Sequence, residues 1–365
     1  MEITDFNEED TLKHDPAYTL IMEDLTMSDM HYSQKPFYKA FILSAHVIYP
    51  IIGLLVVFNN SLIIGAVIRY KYLRTSTNVI IVSLAFADLL VSPSLLFMRI
   101  RDYGNVTSEF PLKLMLSLLG ALHITSITMS LINFMLLAIE RWIAVVFPLK
   151  FRVLGTVKKT IFAVIIAWLY GATISSSVTA YYTWQKPMSF FQKPYFFINL
   201  VPRVWFIIIA QMHINGCLIL SVLLYIHIYI VIRRRSNSFA RTNTSTALEL
   251  RSLEQTKKVT NMTALTLGAF IIAWLPYSIV SDVNPTIGIS SAEGAIIFQV
   301  LVYFNLFNPF LNMFIYARKS EPFKRAFKDM LCLNKRRPNS QSEMNDSTVA
   351  KSFSVLTIQT GIQQP

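Results

Sequence analysis

Seven long runs of apolar residues constrain the fold of this chain more than any other feature of its sequence. A helix needs about 20 mostly apolar residues to cross a bilayer, and each run reaches that length. Only 15% of the 365 residues are charged, whereas soluble domains contain roughly 25%. We therefore predict an all-α membrane protein with a bundle of seven transmembrane helices. The spans are placed at about residues 42–68, 78–99, 113–147, 159–183, 200–233, 257–281 and 293–317.

The distribution of basic residues predicts the orientation of the bundle. Most of the 33 lysines and arginines lie in the connections and the tail on the C-terminal side of the membrane. Because cytoplasmic loops are enriched in basic residues, we expect a cytoplasmic C-terminus and an extracellular N-terminus. The net charge of +12 therefore reflects membrane topology, and the expected partner of these charges is the lipid bilayer and no nucleic acid.

The predicted domain organisation has four parts. They are an acidic, disordered extracellular segment (1–40), the transmembrane bundle (41–318), an amphipathic juxtamembrane helix (319–332) and a disordered cytoplasmic tail (333–365). The juxtamembrane helix follows from the four-residue spacing of Phe323, Phe327 and Leu331, which places the three side chains on one face. No cleaved signal peptide is expected, because the first long apolar run can itself direct insertion.

The sequence also suggests one flexible loop and two modifications. Residues 236–255 are rich in Ser, Thr, Asn and Arg, and we expect a flexible cytoplasmic loop there. Asn105 begins an Asn-Val-Thr sequence in an extracellular loop, where glycosylation is expected. Cys332 is a candidate for S-palmitoylation, with a free thiol as the alternative. Cys217 lies in an apolar run, so no extracellular disulfide is expected.

Polar residues inside the spans are candidates for function, because burying an ionisable group in a membrane costs a few kcal/mol. Asp88 is the acidic residue of the second span. Four polar residues of other spans lie at mid-membrane depth or below it: Asn60, Ser130, Asn308 and Asn312. Together they could surround a cation and a few waters, or they could form interhelical hydrogen bonds that hold the bundle together.

The third span ends in Glu140-Arg141-Trp142-Ile-Ala-Val, followed by Pro148-Leu149, and this pattern resembles the rhodopsin-like (class A) G-protein-coupled receptors. The resemblance covers about residues 41 to 332. Its other landmarks, in order, are Asn60, Leu84-Ala-Phe-Ala-Asp88, Trp168, Tyr225, Phe270-Ile-Ile-Ala-Trp274-Leu-Pro276 and Asn312-x-x-x-Tyr316.

The resemblance implies roles for several residues. Arg141 would face the G protein and be restrained by Glu140, and Tyr225 and Tyr316 would move towards Arg141 on activation. The sodium and water site of the family would be formed by Asp88, Ser130, Asn308 and Asn312. Ligand contact would be relayed to the kinked sixth helix by Trp274, Phe270, Leu131 and Pro276, since proline removes a helical hydrogen bond.

Four positions depart from the family pattern. Leu116 replaces the cysteine at the outer end of the third helix, and Cys217 replaces the proline of the fifth. The usual Asn-Pro-x-x-Tyr of the seventh helix reads Asn-Met-Phe-Ile-Tyr316, with a proline one turn earlier at position 309. Thr256 stands in place of an acid low in the sixth helix. We expect a divergent receptor with a mobile outer loop.

The resemblance also constrains the ligand. Monoamine receptors have an Asp where this chain has His123, so a ligand held by an amine salt bridge is disfavoured. Leu306 aligns with the retinal-binding lysine of opsins, so no retinal and no other cofactor is expected beyond a sodium ion. His123 is either a ligand contact or a neutral histidine satisfied within the bundle. The expected pocket consists of His123, Ile127, His213, Tyr277, Ser278 and Tyr303, which suits a small uncharged ligand or a peptide end.

The leading hypothesis is a plasma-membrane receptor that binds an extracellular ligand and activates heterotrimeric G proteins, with arrestin and receptor kinases as further partners. A receptor that no longer couples is one alternative. A transporter is another, although the sequence has no internal repeat. A membrane hydrolase would need a metal cluster or an activated nucleophile, and the histidine spacing does not indicate one, so no enzyme activity is predicted.

Overall fold

The computed structural model describes residues 36–97, 109–185, 212–242, 247–287, 297, 300–301 and 303–331. The described residues form helices and connecting turns and contain no strand. The helices are α1 (Pro36–Arg69), α2 (Ser76–Phe97), α3 (Glu109–Val146), α4 (Pro148–Leu154), α5 (Val157–Gln185), α6 (Met212–Thr242), α7 (Ala247–Ile287), α8 (Asn308–Lys319) and α9 (Glu321–Met330). A 3-10 turn, Lys71–Leu73, links α1 to α2.

Six of the described helices are long and apolar enough to cross a membrane: α1, α2, α3, α5, α6 and α7. They correspond to the first six predicted spans. Helix α8 is the inner end of the seventh, and residues 303–306 just before it are also helical. Helix α3 packs against α2, α5, α6 and α7, so it runs through the centre of the described bundle.

The hydrophobic core lies in the inner half of the bundle. Leu84, Phe134 and Phe270 from three different helices are each at most 1% exposed there. Helix α9 places Phe323 and Phe327 into the same core, and its charged residues Arg325 and Lys328 face outward. Helix α9 is therefore amphipathic and packs against α1 and the 3-10 turn.

The prediction of a flexible loop at residues 236–255 is wrong for most of that range. Helix α6 continues to Thr242 and α7 begins at Ala247, so at most residues 243–246, which lie outside the described residues, join them. The physical reason is that Ala, Leu, Glu, Arg and Gln dominate positions 247–255, and these are strong helix formers. The Lys257 ammonium also donates a hydrogen bond of 3.1 Å to the Ser236 hydroxyl and holds the two extensions together.

Candidate functional site

A buried ion pair lies at the inner end of α3. The Arg141 guanidinium bonds to the carboxylate of its neighbour Glu140, and the two residues are 7% and 8% exposed. Two hydroxyl groups at the start of α2 complete the arrangement. Ser76 and Thr77 donate hydrogen bonds of 2.9 and 3.1 Å to Glu140 Oε1, and Arg141 Nη2 donates one of 2.7 Å to Thr77 Oγ1. We call these four residues the arginine cluster.

The connection between α1 and α2 positions the hydroxyl half of the arginine cluster. The Asn78 amide donates a 2.7 Å hydrogen bond to the Leu73 carbonyl, and the Arg74 side chain donates to the Val67 and Ile68 carbonyls at the end of α1. These bonds satisfy carbonyl groups that a helix end or turn would otherwise leave without a partner. The first turn of α2 is thereby fixed relative to the end of α1.

Helix α4 covers the arginine cluster from the other side. The Phe151 ring lies 5.8 Å from the Arg141 guanidinium carbon, which is within the range of a cation–π contact. A Cβ atom at Gly155 would come within 2.4 Å of the Phe151 ring, so glycine at this position is what lets the ring pack here.

A second polar cluster surrounds Asp88 in the middle of the bundle. The Asp88 carboxylate accepts hydrogen bonds from the Asn312 amide at 2.8 Å and from the Ser130 hydroxyl at 3.3 Å. Asn60 donates to the Val56 and Pro309 carbonyls at 3.0 and 3.3 Å, which ties α1 to α8. Asn308 is 3% exposed and lies in the first turn of α8.

Three amide oxygens near this level are buried without a hydrogen-bond partner among the described residues: those of Asn60, Asn308 and Asn312. Buried polar atoms normally have a partner, which can be water or an ion as well as protein. Sodium is a hard cation that prefers oxygen ligands, and carboxylate, hydroxyl and amide oxygens are the donors present here. The residues of this cluster therefore fit a sodium ion with water, although the described residues hold no group of three His, Cys, Asp or Glu side chains arranged for a metal.

Aromatic side chains connect the middle of the bundle to its outer half. The Phe134 and Phe270 rings are 4.7 Å apart, and Phe270 and Trp274 are 5.8 Å apart. Leu131, 1% exposed, lies in the same core one helical turn before Phe134. Pro276 lies in α7 two residues after Trp274. Leu131, Phe134, Phe270 and Trp274 therefore belong to one packed core, and Pro276 follows Trp274 in the same helix.

Tyr225 and Tyr316 lie between the two polar clusters. The Tyr316 ring is 1% exposed and stacks on Phe323 of α9 at 5.5 Å. Both tyrosine hydroxyls are buried; that of Tyr225 lies next to Thr263 and that of Tyr316 next to Thr266, both on α7. Threonine hydroxyls of α7 are therefore within reach of both tyrosines in this conformation.

Part of the predicted ligand pocket falls on described side chains. His123 is partly buried on α3, Ile127 packs against the core, and the Tyr303 ring lies 5.3 Å from that of Tyr49. The side chains of His213, Tyr277 and Ser278 lie outside the described residues, as do Asn105 and Cys332. The pocket, glycosylation and palmitoylation assignments stay predictions.

The sequence did not identify Ser76, Thr77 or Phe151. The two hydroxyl residues begin a helix, and such residues usually cap it. The pattern alone therefore gives no reason to pair them with Glu140, which is 64 and 63 positions away.

Thr256 stands where the family has an acid low in the sixth helix. Its hydroxyl donates to the Ser252 carbonyl of its own helix at 2.9 Å. In this conformation Arg141 is bound by α2 and α4.

Comparisons with known proteins agree with this arrangement. The family model described as 7 transmembrane receptor (rhodopsin family) matches residues 59–316. The alpha-1A adrenergic receptor of Oryzias latipes is 22% identical over 77% of this chain, which spans only 66% of that receptor's length. The alpha-1A adrenergic receptor of Rattus norvegicus is 23% identical, with 80% of this chain and 70% of that protein covered.

Trace amine-associated receptor 9 of Mus musculus is 24% identical over 86% of this chain and 91% of its own length. The family match and the helices together confirm the predicted all-α, multi-pass membrane fold with seven transmembrane helices. The arginine cluster and the Asp88 cluster both lie within the matched residues. The chain belongs to the rhodopsin family of seven-transmembrane receptors.

Proposed function

We propose that this receptor binds an extracellular ligand and activates heterotrimeric G proteins at the plasma membrane. Activation would use the cytoplasmic ends of α3, α6, α7 and α8, which are the third, fifth, sixth and seventh spans, with the N-terminus outside. The observation that carries the proposal is the arginine cluster. Burying a charged pair at the membrane interface costs free energy, so such a pair is a candidate for a functional role. Here the pair is hydrogen-bonded to hydroxyl groups, and these bonds can break when the helices move.

The proposed mechanism is a two-state equilibrium. In one state, Glu140 and Thr77 hold Arg141. In the other, α7 moves outward, Arg141 turns towards the G protein, and Tyr225 and Tyr316 move in to become its partners. Ligand binding at the outer half would favour the second state through Trp274 and Phe270, which are in ring contact.

A sodium ion would favour the state in which Glu140 and Thr77 hold Arg141 if the Asp88 cluster binds the ion in that state only. Asp88, Ser130, Asn308 and Asn312 would hold the ion, which would supply a positive charge beside the buried carboxylate. The support is the set of buried amide oxygens without partners in the described part of the chain. Arrestin and receptor kinases would bind the same cytoplasmic face and tail.

We propose a ligand that is small and mostly uncharged, or the end of a peptide. Two of the relatives are named for adrenergic and trace amine recognition, but His123 occupies the position where monoamine receptors have an Asp. An ammonium group would therefore lack its carboxylate partner there. A salt-bridged amine ligand is not proposed for this chain.

The test is signalling in cells that express the full chain with a panel of G-protein reporters. Wild type should give a signal above vector, and Arg141→Ala should abolish it at equal surface expression, since alanine removes the charge that faces the G protein. Basal activity of Asp88→Asn should differ from that of wild type. Activation that persists in Arg141→Ala would overturn the proposed role of the arginine cluster, and solute flux would indicate a transporter.

A further inference from the structure

The short helix α4 presents one aromatic ring to the arginine cluster. Its other large apolar residues, Leu149, Val153 and Leu154, are exposed, whereas Phe151 is half-buried. The Arg141 guanidinium lies over the Phe151 ring, with its carbon 5.8 Å from the ring centre. Helix α4 packs against α3, so Phe151 is the large apolar side chain that α4 turns towards the bundle.

The ring and the hydrogen-bond partners of Arg141 make contacts of different kinds. Nε and Nη2 donate to Glu140, and Nη2 also donates to Thr77, so these partners meet the edge of the planar guanidinium. The Phe151 ring adds an aromatic face beside the cation. Because Arg141 is only 7% exposed, little water competes with the ring, and a cation–π contact is stronger when the cation is desolvated. The ring can therefore help to hold the guanidinium on Glu140 and Thr77.

Gly155 determines where the Phe151 ring can lie. It ends α4, and its backbone N–H donates a 2.7 Å hydrogen bond to the Phe151 carbonyl. Its φ of −79° lies outside the left-handed region that favours glycine. A Cβ atom at this position would instead overlap three carbons of the Phe151 ring. Alanine at position 155 would therefore displace the ring while the backbone keeps its conformation.

The two ends of α4 are held independently of the ring. Pro148 begins the helix, with a φ that suits its first turn. At the other end, Lys159 Nζ from the first turn of α5 donates a 3.0 Å hydrogen bond to the Val153 carbonyl. This places a positive charge at the C-terminus of α4, where the helix dipole favours it. The Phe151 ring can therefore leave Arg141 without detaching α4 from its neighbours.

We propose that Phe151 is a positioning residue for the Arg141 switch, and that its ring, packed over Gly155, keeps the guanidinium on Glu140 and Thr77. Displacing the ring would free Arg141 to turn towards the G protein. The consequence for signalling rests on the proposed function, whereas the consequence for the accessibility of Arg141 does not.

The first experiment measures the accessibility of Arg141 without a G protein. Full-length receptor in lipid nanodiscs is treated with phenylglyoxal, which modifies accessible arginines, and the rate at each arginine is followed by mass spectrometry. The exposed Arg234 on α6 is the internal reference. The variants are Phe151→Leu, Gly155→Ala, the double variant and Phe151→Tyr, which keeps the aromatic face.

Arg141 should react about threefold faster, or more, in Phe151→Leu and in Gly155→Ala than in wild type, because both variants lose the ring contact. Phe151→Tyr should react no faster than wild type. The double variant should match Phe151→Leu, since Gly155→Ala acts through the ring that leucine lacks. Equal Arg141 rates in all variants, or effects of the two substitutions that add, would overturn the proposal.

The second experiment separates the charge of the ring face from the size of the ring. Phe151 is replaced by phenylalanine carrying one, two or three ring fluorines, which weaken the attraction for a cation and change the shape little. Basal reporter activity should rise with each fluorine, to about twofold or more. The same series at Phe147 is the matched control, because that ring lies 5.1 Å from the ammonium of the exposed Lys150, and it should leave signalling unchanged.

The remaining outcomes are also decisive. In a receptor that signals, a flat response to fluorination at Phe151, or an equal response at Phe147, would overturn the role of the ring face. Faster modification of Arg141 without signalling in any receptor would support the role of the ring and count against the proposed function. If Phe151→Leu does not reach the membrane, Gly155→Ala and the fluorinated series decide.

Discussion

The first three spans and the next two are built differently. In α1, α2 and α3, 50%, 67% and 56% of the spanning residues are buried, whereas α5 and α6 each bury only 17%. The first group holds Asp88, the arginine cluster and most of the packed core. We call α1–α3 the platform. The difference teaches that the platform carries the buried polar groups, whereas α6 exposes most of its side chains and meets the platform along α3.

The largest expected effect on stability comes from removing an aromatic ring from the platform core. Phe134→Ala removes a ring that is 1% exposed and packs against Phe270, so it should destabilise the receptor by about 3–5 kcal/mol. Leu223→Ala removes a side chain of α6 that is 57% exposed and should change stability by less than about 0.5 kcal/mol. Thermal unfolding of the purified receptor in detergent checks both. Equal shifts would contradict the division into a buried platform and a more exposed α6.

The next effect concerns the hydroxyl half of the arginine cluster. Ser76→Ala combined with Thr77→Val removes two donors to Glu140 and one acceptor of Arg141. A buried polar group left without a hydrogen-bond partner costs about 1–3 kcal/mol. The conformation in which α2 binds Glu140 and Arg141 should therefore become less stable, and basal reporter activity should rise severalfold. Thr173→Val is the matched control, because within the described part of the chain that hydroxyl bonds to the Leu169 carbonyl of its own helix, α5. No rise in basal activity would mean that α2 does not restrain Arg141.

A smaller effect is expected from sodium. Replacing choline chloride by sodium chloride at equal ionic strength should raise the melting temperature of wild type by a few degrees, about 1 kcal/mol. Asp88→Asn should abolish the difference, because it removes the charge that pairs with the ion. A sodium effect that survives in Asp88→Asn would place the ion elsewhere and leave the Asp88 cluster as a set of interhelical hydrogen bonds.

The smallest effect should come from reduction. Cys217 is a buried free thiol, and the family cysteine of the third span is Leu116 here. Dithiothreitol should therefore leave the ligand-free melting temperature unchanged. A clear fall would reveal a disulfide and show that the stability of the platform depends partly on a covalent link.

The sequence predicted the spans and their order because periodicity and length are local properties of the chain. It also indicated Asp88 and Arg141, since charged residues within apolar runs are visible without a structure. It could not predict that Ser76 and Thr77 bond to Glu140, because such pairs depend on how helices rotate and pack. The error at residues 236–255 has a different cause. The polar composition of this stretch suggests a loop, whereas the helix propensity of positions 247–255 favours the helix that the structure has.

The length of α7 has a mechanical consequence. Pro276 lies 29 residues after the first residue of the helix, Ala247, a distance of roughly 43 Å at 1.5 Å per residue. If the helix turns about the proline by about 10°, the far end sweeps roughly 8 Å, which is more than one helix radius with side chains. A rearrangement of a fraction of an ångström around Trp274 is thereby amplified many times over, and a rigid rod of this length needs no further moving part to open a cleft at the end of the bundle that carries the arginine cluster.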